Sequence, residues 1–413
     1  MKEIFRTSNG QHFFGYYDKC PWSRDERFLL AHRVNFLDRL PDGHDIAEIG
    51  VIDWHGERTF RKLAETRAWN FQQGAMLQWL GPDFNERIIF NDLRDGKFVA
   101  VIFNVKENNE EKVVAFPVYA VHPDGTQALS VDFSRFDKIR EGYGYKGGMA
   151  IDHNSLFFRF ELDALDDRVD FYDGTLHGES LDYEDPGGNH WADHLAFNPS
   201  GTKFAFLHRQ QLRGGGFSSW LCLSNSDGKI VTLLESGMAS HFSWKNDEGL
   251  VVWGRPPGLA STVGKSFLRK TAARVYHNLV HSAGMRQRIS GDAFLLFNTR
   301  TLGFRRVGKG ILTEDGHATF SPDGKWMLTD TYADTTHYRT LSLFNMDSEE
   351  LVEIGKLYAL PNGYSLDSTW DSSGVRADLH PRFSRDGKKI CIDSVHSDSR
   401  QMHVFDVSDI VER

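Results

Sequence analysis

The feature that most constrains this chain is a short pattern that returns along its whole length. An aromatic or aliphatic residue leads into a turn of the Ser-Pro-Asp-Gly type, and an alternating strand follows. The clearest copy is HATFSPDGKWMLTDTY, from His317 to Tyr332. HPRFSRDGKKICIDSV from His380 and HLAFNPSGTKFAFLHR from His194 repeat it, and weaker copies begin at Lys19, Met76, Val118 and His241. In the turn, proline presets φ and glycine accepts positive φ, while the period-2 alternation marks a half-buried strand. Seven copies, mostly about 45–65 residues apart, lie within or somewhat above the spacing of propeller blades. One blade cannot bury both of its faces, so the blades must stack into a ring.

The expected architecture is all-β: a single seven-bladed β-propeller domain over residues 1–413. Segments such as SSWLCLSNSDGKIVTLL from Ser218 and MHVFDVSDIV from Met402 supply the outer two strands of a blade. The 31 Phe and 10 Trp agree, because aromatics suit pleated, half-buried surfaces. Two stretches interrupt the repeat. Residues 256–290 carry helix formers and a basic bias through Lys265, Arg269, Lys270, Arg274, Arg286 and Arg288, and read as a helical insertion in the fifth blade. Such an insertion serves as a lid, a partner-docking element, a peripheral contact with anionic membrane, or merely a solvated surface feature. The second is the loop from Leu357 to Arg376.

Composition narrows the function. No apolar run approaches the roughly 18 residues of a membrane span. The opening MKEIFRTSNGQHFFGYYDKC lacks the apolar core of a secretory signal. Cys20, Cys222 and Cys391 are far apart and odd in number, which argues against a disulfide framework and for the cytoplasm. A net charge of −9 speaks against nucleic acid as a partner.

Aligned on the residue before the turn, the copies place Lys19, Met76, Val118, His194, His241, His317 and His380 at one equivalent position. The strand that carries this position is the innermost of a blade, so these residues point toward a common axis. Four adjacent blades then offer four imidazoles to one volume, and imidazole is the commonest metal ligand. A histidine here also serves as a strand cap. Its confinement to blades four to seven favours a site. Asp378 and His190 lie on the approach to that mouth. The ends of the second strands add His32, Arg33, Asn91, Asp92, His208, Arg209, Arg255, Asp330 and Asp393, while Tyr16, Tyr17, Asp18 and Gln73 line the other half. Arg33, Arg209 and Arg255 suit an anionic ligand, because a guanidinium pairs with carboxylate through two bonds.

The copies HATFSPDGKWMLTD and HPRFSRDGKKICIDS resemble the TolB-type propeller repeat. More narrowly, a histidine-rich seven-bladed ring resembles the oligogalacturonate lyases, cytoplasmic enzymes that split short pectic oligosaccharides. That resemblance implies a divalent ion, typically Mn²⁺, held by His317 and His380 with Asp378 or His194. It implies His241 as the base, Arg209 as its accompanying arginine, and an acidic oligosaccharide as the substrate. Arg33, Arg255, Tyr17, His190 and His208 are then candidate substrate-binding residues. The basic segment 256–290 and the FGYYDKCPW opening have no counterpart in the family pattern.

Two further readings stand beside the lyase. One is a non-catalytic propeller that binds glycans or proteins in polysaccharide production, since propellers host many functions. The other is a hydrolase that uses a carboxylate pair such as Asp18 and Asp330.

Overall fold

The turns of the repeat fold as their residue types dictate. Ser321 Oγ donates to Asp323 (2.6 Å) and accepts the backbone N–H of Trp326 (3.0 Å), with Gly324 at φ 70°. Ser384, Asp386 and Lys389 repeat this arrangement around Gly387 at φ 73°. Ser23, Asp25 and Phe28 do so in the first copy, where Glu26 takes the left-handed position at φ 58°. A side-chain clasp of this kind closes the turn locally and hands the chain to the next strand in register.

In a computed structural model, which describes residues 2–151, 155–163, 167–170, 190–212, 216–225, 228–257, 291–360 and 374–413, seven such units make seven four-stranded antiparallel sheets. Strand β1 (Lys2–Arg6) stands apart from the first of them. Blade one is β2 (Gln11–Phe13), β3 (Phe28–Val34), β4 (Ala47–Asp53) and β5 (Phe60–Thr66). Blade two is β6 (Gln78–Trp79), β7 (Arg87–Arg94), β8 (Lys97–Asn104) and β9 (Asn109–Val114). Blade three is β10 (Ala120–Val121), β11 (Gln127–Ser130), β12 (Phe158–Glu161) and β13 (Arg168–Asp170), with helix α1 (Phe133–Ile139) between its second and third strands. Blade four is β14 (His190–Phe197), β15 (Lys203–Gln211), β16 (Phe217–Asn225) and β17 (Ile230–Leu234). Blade five is β18 (Ala239–Trp244), β19 (Gly249–Gly254), β20 (Ala293–Asn298) and β21 (Phe304–Val307). Blade six is β22 (Ala318–Phe320), β23 (Trp326–Asp330), β24 (Tyr338–Asn345) and β25 (Leu351–Tyr358). Blade seven is β26 (Arg382–Phe383), β27 (Lys389–Ser394) and β28 (Gln401–Asp406), and its fourth strand is β1.

The seven-bladed reading holds, with one difference. The segment from Met402 supplies only the third strand of its blade and then turns into the short helix α2 (Ser408–Val411). The outermost strand comes instead from the start of the chain, where Lys2 pairs with Asp406 and Arg6 with His403. The core lies between blades rather than within them. Phe13, Leu30, Ile88 and Val404 join blades one, two and seven in one cluster, while Leu207, Leu221, Val252 and Leu295 join four to five. Leu328, Leu343, Ile390 and Ile392 do the same for six and seven. Apart from its first two residues, the basic segment 256–290 lies outside the described residues, as does most of the Leu357–Arg376 loop.

Candidate metal centre on the channel axis

Two inner strands are bent where their histidines fall. In β14 the pairing with β15 slips between Asp193 and Ala196, and in β18 the pairing with β19 slips between Ala239 and Phe242. Each slip adds one residue, a β-bulge that re-aims a side chain at a strand edge. His194 sits at φ 56° and His380 at φ 42°, in the left-handed region that favours glycine. Met76, at the equivalent place in blade two, has φ 52°, so this is a habit of the blade that the histidines exploit.

The four rings meet on the axis. Ring centroids are 5.3 Å apart for His194 and His241, 4.3 Å for His241 and His317, and 4.5 Å for His317 and His380. All four are buried. The middle of the channel is filled by the opening FGYYDKC segment. Tyr16 packs against His194 and His380, and Tyr17 against His317. The segment is strapped to blade seven: Asp393 accepts the backbone N–H of Phe14 (3.1 Å) and Gly15 (3.0 Å), and Arg382 joins Asp393 (2.9 Å) to the carbonyl of Tyr16 (3.1 Å). Gly15 is required there, since φ is 114° and a Cβ would lie 2.8 Å from the Gln73 carbonyl carbon.

Asp378, His317 and His380 form one donor set, with one ligand atom of each within 4.8 Å of the others. Their remaining bonds aim them. His380 donates Nδ1–H to the carbonyl of Gly15 (2.7 Å), which leaves the Nε2 lone pair free. His317 turns Nδ1 to Asp330 (3.0 Å), which also accepts its backbone N–H (2.7 Å). Fixing the far nitrogen of a ligand histidine by carboxylate or carbonyl is the usual arrangement at a metal. Burial works against charge on Asp378, yet Arg376 (2.9 Å) and Arg339 (3.0 Å) override it and hold its carboxyl well below the usual range. Burial, and then the charge of His317, pushes His380 well below its ordinary pKa, which keeps it in the neutral, ligating form. The residues therefore fit a divalent ion: two imidazoles and one ionised carboxylate, each held from behind.

His194 stands outside this trio. Its Nδ1 meets the hydroxyl of Tyr16, and its Nε2 lies 3.1 Å from Arg209 Nη2. Arg209 is buried between His194 and Asp193 (3.2 Å) and also donates to the carbonyl of Ser240 (3.2 Å). His241 lies between the two halves. Its Nδ1 faces Ser240 Oγ (2.9 Å) and Asp315 (3.5 Å), and burial, then His317, lowers its pKa.

Of the residues read from the sequence, the fold thus brings together His194, Arg209, His241, His317, Asp378, His380 and Tyr17. It places the other four elsewhere. His208 packs on Trp220 and meets His190 at 2.9 Å, beside the pocket lined by Arg135 and Trp191. Arg33 pairs with Glu48 (2.5 Å) over the ring of Phe60, and Arg255 with Asp292 (2.7 Å). The acid pair of the hydrolase reading is engaged too, Asp330 by His317 and Asp18 by Lys19 (2.8 Å). Sequence reasoning missed Asp193, Asp315, Arg339 and Arg376. A signal existed for the acids, because Asp193, Asp315 and Asp378 each stand one or two residues before a channel histidine.

Together these features define a seven-bladed propeller with a histidine, carboxylate and arginine site on its axis. No sequence-family profile matches the chain, and no curated protein does. Solved structures do match. An oligogalacturonate lyase in complex with manganese superposes with a TM-score of 0.61 and 15% identity, over 98% of this chain and 92% of that one. The oligogalacturonate lyase of Vibrio parahaemolyticus gives 0.58 and 12%, over 97% and 91%. TolB of Acinetobacter baumannii overlaps more loosely, at 0.40 and 14%, over 76% and 60%. The chain has the fold of the oligogalacturonate lyases.

Proposed function

We propose that this chain is a metal-dependent lyase that cleaves uronate-containing oligosaccharides by β-elimination. The observation that carries the reading is the aimed trio His317, Asp378 and His380, with a buried imidazole, His241, packed against it. The trio would hold a divalent ion, Mn²⁺ by analogy with the neighbour solved with manganese. When bound, such an ion neutralises the uronate carboxylate and so acidifies the adjacent C5 proton. His241, steadied through Nδ1 by Ser240, takes that proton on Nε2. The C4–O bond then breaks with its electron pair on the leaving oxygen, which takes a proton from water, and a C4–C5 double bond remains. Arg209, whose Nε has no hydrogen-bond partner among the described residues, supplies a cation for the anionic sugar. Asp378 stays ionised throughout, because two guanidiniums flank it.

A cytoplasmic setting goes with this reading and agrees with three unpaired cysteines. Among the described residues no helix is long and apolar enough to cross a membrane, and a role for 256–290 at a membrane surface is part of the proposal only as a peripheral contact. The non-catalytic glycan-binding reading draws support from one observation: none of the four histidines is more than 8% exposed. A panel of uronate oligomers, incubated with and without Mn²⁺, separates the two. The lyase gives metal-dependent ultraviolet absorbance from the unsaturated product. Silence across the panel, with Mn²⁺ bound, leaves the binder.

A further inference from the structure

A second set of metal-ligating side chains lies where the ring closes. His403 is on β28, His396 in the turn between β27 and β28, and Glu3 on β1. Glu3 stands opposite Phe405, two residues from His403 and on the same side of the strand. The pairing of β1 with β28 then slips between Glu3 and Phe5, so Phe5 stands opposite Val404 rather than His403.

One ligand atom from each residue lies within 4.8 Å of the other two. Glu3 Oε2 is 3.3 Å from His403 Nδ1 and 4.0 Å from His396 Nε2. Two ligands at bond lengths of about 2.0–2.1 Å on a tetrahedral ion stand about 3.3 Å apart, so the first distance already fits and the second needs a small closure. The outward nitrogens are engaged in the complementary way. His396 Nδ1 meets Ser394 Oγ at 2.8 Å and His403 Nε2 meets Ser397 Oγ at 3.5 Å. With an ion bound, each serine hydroxyl would accept the ring N–H and leave the lone pair on the nitrogen that faces Glu3. The rings stack at 4.2 Å, which two protonated imidazoles would resist. Arg6, opposite His403, is exposed, so solvent screens the charge it places near both rings.

We propose that Glu3, His396 and His403 form a zinc site that ties the first strand of the chain to the last blade, with water as the fourth ligand. Two imidazoles and a carboxylate are a known zinc donor set, and His396 and Glu3 are accessible to an entering ion. The site joins residues 400 positions apart in the chain, so an ion there holds the ring shut at its seam.

The test compares the full-length protein with a Glu3→Gln/His396→Asn variant, which leaves the channel trio untouched. Both are dialysed against micromolar Zn²⁺ and assayed for bound metal and melting temperature. The wild type is expected to hold one more Zn²⁺ per chain, and to gain about 2–4 °C more on zinc addition at a hundredfold excess over Kd. With Co²⁺ it should also show a tetrahedral absorption band that the variant lacks. Equal zinc content and equal melting shifts in the two proteins overturn the proposal. His396→Asn alone, in a surface turn, makes the same comparison if the double variant does not fold.

Discussion

Tyr17 Oη donates to the carbonyl of Phe242 at 2.8 Å, a bond that runs from the loop behind the first blade to the inner strand of the fifth. Tyr17→Phe keeps the ring against His317 and removes this one bond. The expected cost is about 1–2 kcal/mol in urea unfolding, with metal content unchanged.

Asp393→Asn should act more severely. Arg382 is 1% exposed and relies on that carboxylate, which also accepts two backbone N–H groups of the strapped segment. Removing one charge of a buried pair costs about 3–5 kcal/mol. The same variant loosens Gly15, the acceptor for His380 Nδ1. Mn²⁺ titration followed by calorimetry should therefore show weaker binding as well as the lower melting temperature.

His241→Ala tests the base. If the proposed elimination is correct, kcat falls by about 10²–10⁴, the usual contribution of a positioned base, while Mn²⁺ affinity changes little. Asp378→Asn should reverse that pattern. Metal binding is lost first, and Arg339 and Arg376 lose the carboxylate charge between them.

Acid sensitivity should include a contribution from outside the channel, beside that of the depressed channel histidines. Burial lowers the pKa of His32 to about 4 and that of His12 to about 4, from 6.5. A folded pKa below the unfolded one leaves stability complete above pH 6.5, and stability is then lost as pH falls toward 4. Each ring contributes up to about 3 kcal/mol to that loss. Denaturation midpoints measured across this window should fall steadily, and His32→Gln should flatten the slope.

Much of the ring was legible because each blade announces itself with the same turn. Ser-x-Asp-Gly clasps and period-2 strands are local, and locality is what a single sequence displays. The four histidines were legible for the same reason, as a repeated register position. Arg339, Arg376 and Asp193 were not, because what matters about them is the partner that folding brings from another part of the chain. The candidates that fell elsewhere show the converse. Arg33 and Arg255 do stand next to strand ends and His208 lies in the second half of its strand, but the direction of a side chain follows from bulges and inter-blade packing. His208 faces Trp220 while its neighbour Arg209 faces the site. The closing strand β1 carries no copy of the motif, so nothing local marked it.

The strapped FGYYDKC segment has a consequence for when the protein becomes competent. The carbonyl of Gly15 that aims His380 is 365 residues upstream of it. At about 5–20 residues per second, a ribosome needs about 20–70 s to make that stretch. The first Tyr pair emerges long before the rings it packs against, and the donor set exists only once the seventh blade has left the exit tunnel. A chain stalled before its seventh blade is therefore without this donor set, however well its early blades fold.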